Sequence, residues 1–185
     1  MTYRVGYFVG SLSKESINRV LANAIISVAP EDLEFFEIGI GDLPLYNRDL
    51  DGNYPAEAVA LKDAIHSAHA ILFVTPEYNR SIPGALKNAI DWASRPWGEN
   101  AFVNMPVAVI GASPGNIGTA VVQQSLRAVL SFLNTRQMTS PEAYCSYDEA
   151  DFLPELSDRT REFLGGFITE FRDHIERVLT VLPRH

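Results

Sequence analysis

Ala70-Ile71-Leu72-Phe73-Val74-Thr75, then Pro76-Glu77-Tyr78-Asn79-Arg80-Ser81-Ile82, then Pro83-Gly84-Ala85-Leu86-Lys87-Asn88-Ala89-Ile90 is the stretch that decides the fold. Its first part is apolar through the middle, does not alternate, and is short. That is the pattern of a strand buried on both faces. Its last part opens on a proline, which suits the start of a helix. It then repeats Leu86, Ala89, Ile90 and Ala93 at helical spacing. Buried strand, polar loop and amphipathic helix in that order make a building block of a parallel α/β sheet.

The same block recurs on both sides. Arg4 to Val9 is a short apolar strand ending at Gly10, followed by a helix with Val20, Leu21, Ala24, Ile25 and Val28 that Pro30 stops. Leu33 to Ile38 forms a second strand. Residues 39–54 are rich in Gly, Pro, Asn and Asp and read as loop. Pro55 opens a helix carrying Val59, Leu61, Ala64, Ile65 and Ala68. Pro106 to Gly111 is the fourth strand, and Val122, Leu126, Val129, Leu130 and Leu133 mark the next helix. Phe163, Leu164, Phe167, Ile168, Phe171, Ile175 and Leu179 mark the last. A fifth strand is expected after the fourth helix. Thr135 to Thr139 is the candidate, and its polarity places it at an edge. These elements predict a flavodoxin-like three-layer α/β sandwich with a five-stranded parallel sheet in the order 2-1-3-4-5. One domain spanning residues 1–185 is expected.

In such sheets ligands bind outside the carboxyl ends of the strands, where the strand order reverses. That directs attention to the loops after strands 1, 3 and 4. The first, Gly10 to Arg19, offers Ser11, Ser13, Ser16 and Asn18 just before a helix, which suits a phosphate monoester. Serines that only cap the helix fit the same pattern. It contains neither GxxxxGK[ST] nor GxGxxG, so a nucleoside triphosphate or a tightly held dinucleotide is not expected. The second loop sets Tyr78 and Asn79 between prolines, an aromatic face beside amide groups, suited to a flat heterocycle with polar edges. The third, Gly111 to Thr119, is small and polar, so its backbone can approach a ligand or simply turn.

Composition narrows the partners. Lys and Arg total 15 against 23 Asp and Glu, for a formal net charge of −8. That field repels phosphate backbones, so nucleic acid is not an expected partner. No apolar run is long enough to cross a bilayer, and Met1-Thr2-Tyr3-Arg4 leads directly into a strand without the pattern of a secretory signal. The single cysteine, Cys145, excludes an internal disulfide, and a cytoplasmic location is expected. Cys145 follows Tyr144 in a loop-like stretch and is read as an idle thiol. His66 and His69 are read as two positions on one solvated helix face, His174 as part of the last helix, and His185 as terminal. No metal site is expected.

The run Pro76-Glu77-Tyr78-Asn79-Arg80-Ser81-Ile82-Pro83-Gly84-Ala85-Leu86-Lys87-Asn88-Ala89-Ile90-Asp91-Trp92 resembles the NADPH-dependent FMN reductase family, in particular its quinone and chromate reductase branch. Gly10-Ser11-Leu12 with Ser16, Asn18 and Arg19, and Gly111-Ala112-Ser113-Pro114-Gly115, carry the same resemblance. It implies that the loop with Ser11, Ser13, Ser16, Ile17 and Asn18 holds the FMN phosphate. It also implies that Pro76, Glu77, Tyr78, Asn79 and Arg80 lie along the isoalloxazine, largely through backbone, and that Ser113 and Gly115 lie on its other side. NADPH or NADH is then the electron donor. The acceptor is a small molecule such as a quinone, with chromate, azo compounds or free flavin as others. Homodimers or homotetramers are implied, and Trp92 and Trp97 mark the stretch expected at the interface. A flavodoxin-type electron carrier and a non-redox regulatory protein of the same fold are the alternatives. The family usually has a basic residue where this chain has Ser13 and a small residue where it has Glu15. Weaker FMN binding is therefore expected. Pro83 and Gly84 are expected to fix the path of the second loop.

Overall fold

β1 (Tyr3–Val9) and β3 (Ala70–Val74) lie side by side at the middle of a parallel sheet, with β2 (Leu33–Glu37) beyond β1 and β4 (Pro106–Ser113) beyond β3. The protein is described here by a computed structural model covering residues 2–182; Met1 and residues 183–185, His185 among them, lie outside the described residues. With β5 (Arg136–Gln137) beyond β4, the strand order is β2-β1-β3-β4-β5, as the sequence predicts for a flavodoxin-like fold. All five residues of β3 are buried, which is why its sequence shows no alternation.

The sheet separates two cores by the period-2 geometry of its strands. Val5, Val9, Leu72, Val74, Ala108 and Ile110 face α1 (Ile17–Ser27) and α5 (Asp158–Val181). Phe8, Ile71, Phe73, Val107 and Val109 face α2 (Ala56–His66), α3 (Gly84–Ala93) and α4 (Ala120–Phe132). Phe8 and Phe73 stack at 5.2 Å on that second face. Each fully buried phenylalanine contributes roughly 1.5–3 kcal/mol.

The segment 39–54 is held in place. Trp92 of α3 is fully buried, its Nε1 donates to the Pro44 carbonyl at 2.7 Å, and Tyr46 and Tyr54 meet its ring edge-on, each at 5.0 Å. Asn88 accepts from Tyr46 N and donates to the same carbonyl. Trp92 therefore belongs to the interior of its own chain, and only Trp97, 79% exposed, remains for an interface.

Three expectations need correction. The fifth strand is broken into β5 (Arg136–Gln137) and β6 (Ala143–Ser146), both parallel to β4. Pro106 pairs with Arg136 but Ile110 with Ala143, so three residues are looped out between the halves. Polar 135–139 hides the first half, and pairing with β4 rather than propensity creates the second. Tyr144 and Cys145 consequently lie on a strand, not in a loop. Cys145 is buried, and burial pushes its thiol up to about 12, as fits an unreactive side chain. Finally, α2 ends at His66, so His69 shares no helix face with it. His69 Nδ1 instead accepts from Arg4 N at 2.8 Å. His174 lies on α5 as expected, its Nε2 is 2.8 Å from the Arg136 carbonyl, and burial lowers its pKa.

Candidate functional site

The loops after β1, β3 and β4 meet at the carboxyl rim. Gly10 N donates to Val74 O at 2.8 Å, and a Cβ on Gly10 would meet Thr75 Oγ1 at 2.8 Å. Beyond it Ser11, 5% exposed, shares a hydrogen bond of 3.2 Å with the Tyr78 hydroxyl. Ser11 Oγ also accepts from Ser13 N, and Ser13 Oγ from Glu15 N, both at 3.3 Å. Ser16 has extended backbone and its Oγ accepts from Arg19 N, so it caps α1. Arg19 and Val20 also donate to Ser16 O. The other two donors of the first turn, Ile17 N and Asn18 N, make no hydrogen bond within the described residues. The Asn18 side chain faces inward: it donates to Ala112 O and accepts from Ala112 N, both at 2.9 Å. Asn18 thus offers a ligand its backbone and uses its carboxamide to tie α1 to β4.

The loop after β3 is a two-residue hairpin. Tyr78 and Ser81 exchange both backbone hydrogen bonds, at 3.2 and 2.9 Å, and Asn79 and Arg80 both have positive φ, 51° and 60°. That is the signature of a type I′ turn. Asparagine suits it; arginine does so less often, and such backbone gathers at ligand sites. Pro76 is buried at the base of the loop beside Gly10, while Tyr78, Asn79 and Arg80 are exposed on the rim. Gly84, in contrast to expectation, is not restrictive: a Cβ there meets nothing within 4 Å.

On the far side β4 runs two residues past its predicted end, to Ser113. Gly111 is therefore a strand residue packed against Thr75, not a loop residue open to ligand. Ser113 Oγ donates to Gly118 O at 2.6 Å and accepts from Gly115 N at 3.3 Å, which folds the loop on itself. Gly118, at φ +62°, lies 3.0–3.1 Å by its missing Cβ from Tyr144 and Cys145, and only glycine fits.

Glu77 joins the two walls. Its side chain is 6% exposed; Oε2 accepts from Val121 N at 3.1 Å and Val122 N at 3.0 Å, and Oε1 from Arg80 Nη1 at 2.8 Å. With Ala120 N on Ile117 O and Gln123 N on Thr119 O, all four first-turn donors of α4 are taken. An anion cannot sit at that helix start. The start of α1 keeps two donors beside the hydroxyls of Ser11 and Ser13, whereas that of α3 follows Ile82 and Pro83. Arg19 does not add its charge to this anion site, because Glu37 holds its guanidinium at 2.6 and 2.9 Å. The pairing lowers the Glu37 carboxyl pKa and raises that of Arg19.

Between the hairpin and the loop after β4 lies a cleft of about 580 Å³, within the usual range for small-ligand sites. Glu77, Asn79, Arg80, Ser113 and Gly115 line it. Pro76 and Tyr78 do not line it, and neither do Ser11, Ser13, Ser16, Ile17 and Asn18. The latter stand next along the rim, connected through the Ser11–Tyr78 bond. Pro114, Asn116 and Ile117 line the cleft without having been singled out; Ile117, 52% exposed, supplies an apolar wall. Pro114 stands inside the quoted Gly111–Gly115 motif, and position in the small-residue loop was the signal for the other two.

A parallel α/β sheet with a free helix start, an adjoining open cleft and no dinucleotide fingerprint defines a mononucleotide-binding protein of the flavodoxin-like class. The family profile described as NADPH-dependent FMN reductase matches residues 3–150, and the chain belongs to that family. A 2-hydroxy-1,4-benzoquinone reductase from Burkholderia sp is 45% identical over 174 residues, covering 92% of this chain and 95% of that protein. A quinone reductase from Pseudomonas putida is 45% identical over 177 residues, covering 94% and 95%. The solved structure of FerB, a flavoenzyme NAD(P)H:(acceptor) oxidoreductase from Paracoccus denitrificans, superposes with a TM-score of 0.92 at 44% identity, covering 95% and 98%.

Proposed function

We propose that this chain is an FMN-dependent NAD(P)H oxidoreductase that passes electrons to quinones. The observation that carries the reading is the pair of free N–H groups at Ile17 and Asn18 beside the open cleft. Those donors and the neighbouring hydroxyls fit a phosphate monoester, and the cleft walls fit a flat ring with polar edges. When bound, FMN would supply the redox chemistry between NADPH or NADH as donor and the acceptor. The chain supplies binding and orientation. Ile17 and Asn18 hold the phosphate through backbone, with Ser11 and Ser13 at its side and Ser16 fixing the helix start. Tyr78, Asn79 and Arg80 present hairpin backbone to one side of the ring. Ser113 and Gly115 shape the other side, and Ile117 keeps water from it. The open cleft admits other small acceptors as well, chromate, azo compounds and free flavin among them. Heat release of the cofactor followed by chromatography tests the reading. FMN is expected; FAD, or no flavin after incubation with excess FMN, would refute it.

Around the start of α1, Arg19 is engaged by Glu37, and Lys14 is adjoined by the acidic Glu15. Ser13→Arg is therefore expected to tighten FMN binding by about tenfold, the difference between a neutral and a charge-assisted hydrogen bond. The gain should shrink as salt rises, which titration at two ionic strengths will read.

Residues 1–185 act as one domain in this proposal, in the cytoplasm, as homodimers or homotetramers. Trp97 and the neighbouring Arg95, which stacks over it at 5.8 Å, lie at the subunit contact. Trp97→Glu should shift the mass measured by light scattering towards the monomer; a monomeric parent protein would exclude the contact. Among the described residues no helix is long and apolar enough to cross a membrane.

A further inference from the structure

We propose that the Glu77 side chain is a positioning residue: it holds no cofactor itself, but fastens the hairpin after β3 to α4 and so fixes the spacing of the cleft walls. The inference rests on the reading of the cleft as the FMN ring site. Three contacts carry it. Val121 N and Val122 N donate to one carboxylate oxygen and Arg80 Nη1 to the other, at 3.1, 3.0 and 2.8 Å. Nothing on α4 itself does this work, since Thr119 at the cap position makes no side-chain capping bond. The carboxylate comes from 44 and 45 residues away in sequence, from the loop after β3 to the helix that follows the loop after β4.

The geometry explains why an acid stands here. A carboxylate whose side chain is 6% exposed is costly unless its charge is answered. The positive end of α4 and the Arg80 guanidinium answer it from two directions. Arg80 needs the clamp in turn, because its backbone sits at φ 60° in a region arginine rarely adopts. Removing the carboxylate frees both partners: α4 loses its cap and the hairpin its only charged tether to the opposite wall among the described contacts. The hairpin keeps its Ser11–Tyr78 contact to the first loop, so the phosphate end is untouched. The defect should therefore fall on the ring end alone.

Comparing FMN with riboflavin, which lacks the phosphate, separates the two ends. Glu77→Ala is expected to weaken both ligands by the same factor, about tenfold, and to reduce the visible circular dichroism of the bound flavin at saturation. Glu77→Gln keeps an acceptor oxygen for α4 and should bind both within about threefold of the parent. In the flavin-free parent, the amide hydrogens of Val121 and Val122 should exchange slowly. Unchanged affinity and dichroism in a folded Glu77→Ala protein would overturn the proposal. So would a loss confined to FMN, which would place Glu77 at the phosphate. If Glu77→Ala does not fold, rapid exchange at Val121 and Val122 in the parent still overturns it. A parent that binds neither flavin would instead remove the functional reading, and the exchange measurement would still decide whether the joint exists.

Discussion

Ile17→Pro is expected to weaken FMN binding by roughly one to two decades while leaving α1 intact. Ile17 is the first residue of the helix, where proline is well tolerated because its missing N–H has no intrahelical partner. The preceding Ser16 has φ −69° and ψ 117°, an extended conformation that a following proline favours. The substitution thus removes one proposed phosphate donor and little else, apart from some packing, since Ile17 is only partly buried against the core. A charge-assisted hydrogen bond contributes about 1.5–3 kcal/mol, which is the basis of the estimate. Riboflavin should bind the variant as it binds the parent. Isothermal titration with the two ligands checks this; equal FMN affinity in variant and parent would remove the phosphate from the start of α1.

Gly111→Ala is expected to destabilise the protein by about 3 kcal/mol or more and to abolish flavin binding at ordinary concentrations. A Cβ on Gly111 would lie 2.1 Å from the Thr75 carbonyl oxygen and 2.5 Å from Thr119 Oγ1. Neither neighbour can yield cheaply. Thr75 is fixed to β4 by its N–H on Ile110 O at 3.0 Å, and Thr119 precedes α4 and accepts from Gln123. Strands β3 and β4 would have to part just where the hairpin and the opposite wall diverge. For a chain of this length the midpoint of thermal unfolding should fall by roughly 6–12 °C. Gly84→Ala is the contrasting variant: nothing crowds its Cβ, φ is not positive, and stability should hold or rise slightly. Similar losses in both would mean that close packing at Gly111 is not what the site depends on.

Much of this was legible in the residues, for a physical reason. β1, β3 and β4 are buried on both faces, so their apolar runs stand out, and prolines mark the starts of α2 and α3. The broken fifth strand was not, because β6 exists through its register with β4 rather than through its own composition. The rim segments were legible as loops after β1, β3 and β4, but their contacts were not legible atom by atom. Asn18 looks like an anion ligand in sequence, yet its carboxamide pairs with a backbone 94 residues away. Glu77 looks like part of a ring-binding segment, yet its carboxylate caps a helix across the cleft. Gly84 looks restrictive and is not, whereas Gly111 looks like a ligand-facing glycine and serves strand packing. Contacts of that range leave no local spacing to read.

The most direct measurement is the visible spectrum of the FMN-loaded protein under anaerobic conditions, first with one equivalent of NADPH and then with a benzoquinone. The absorbance of oxidised flavin should disappear on the first addition and return on the second. A flavin spectrum that NADPH and NADH both leave unchanged would contradict the assignment as an NAD(P)H-dependent oxidoreductase and leave a carrier without nicotinamide turnover.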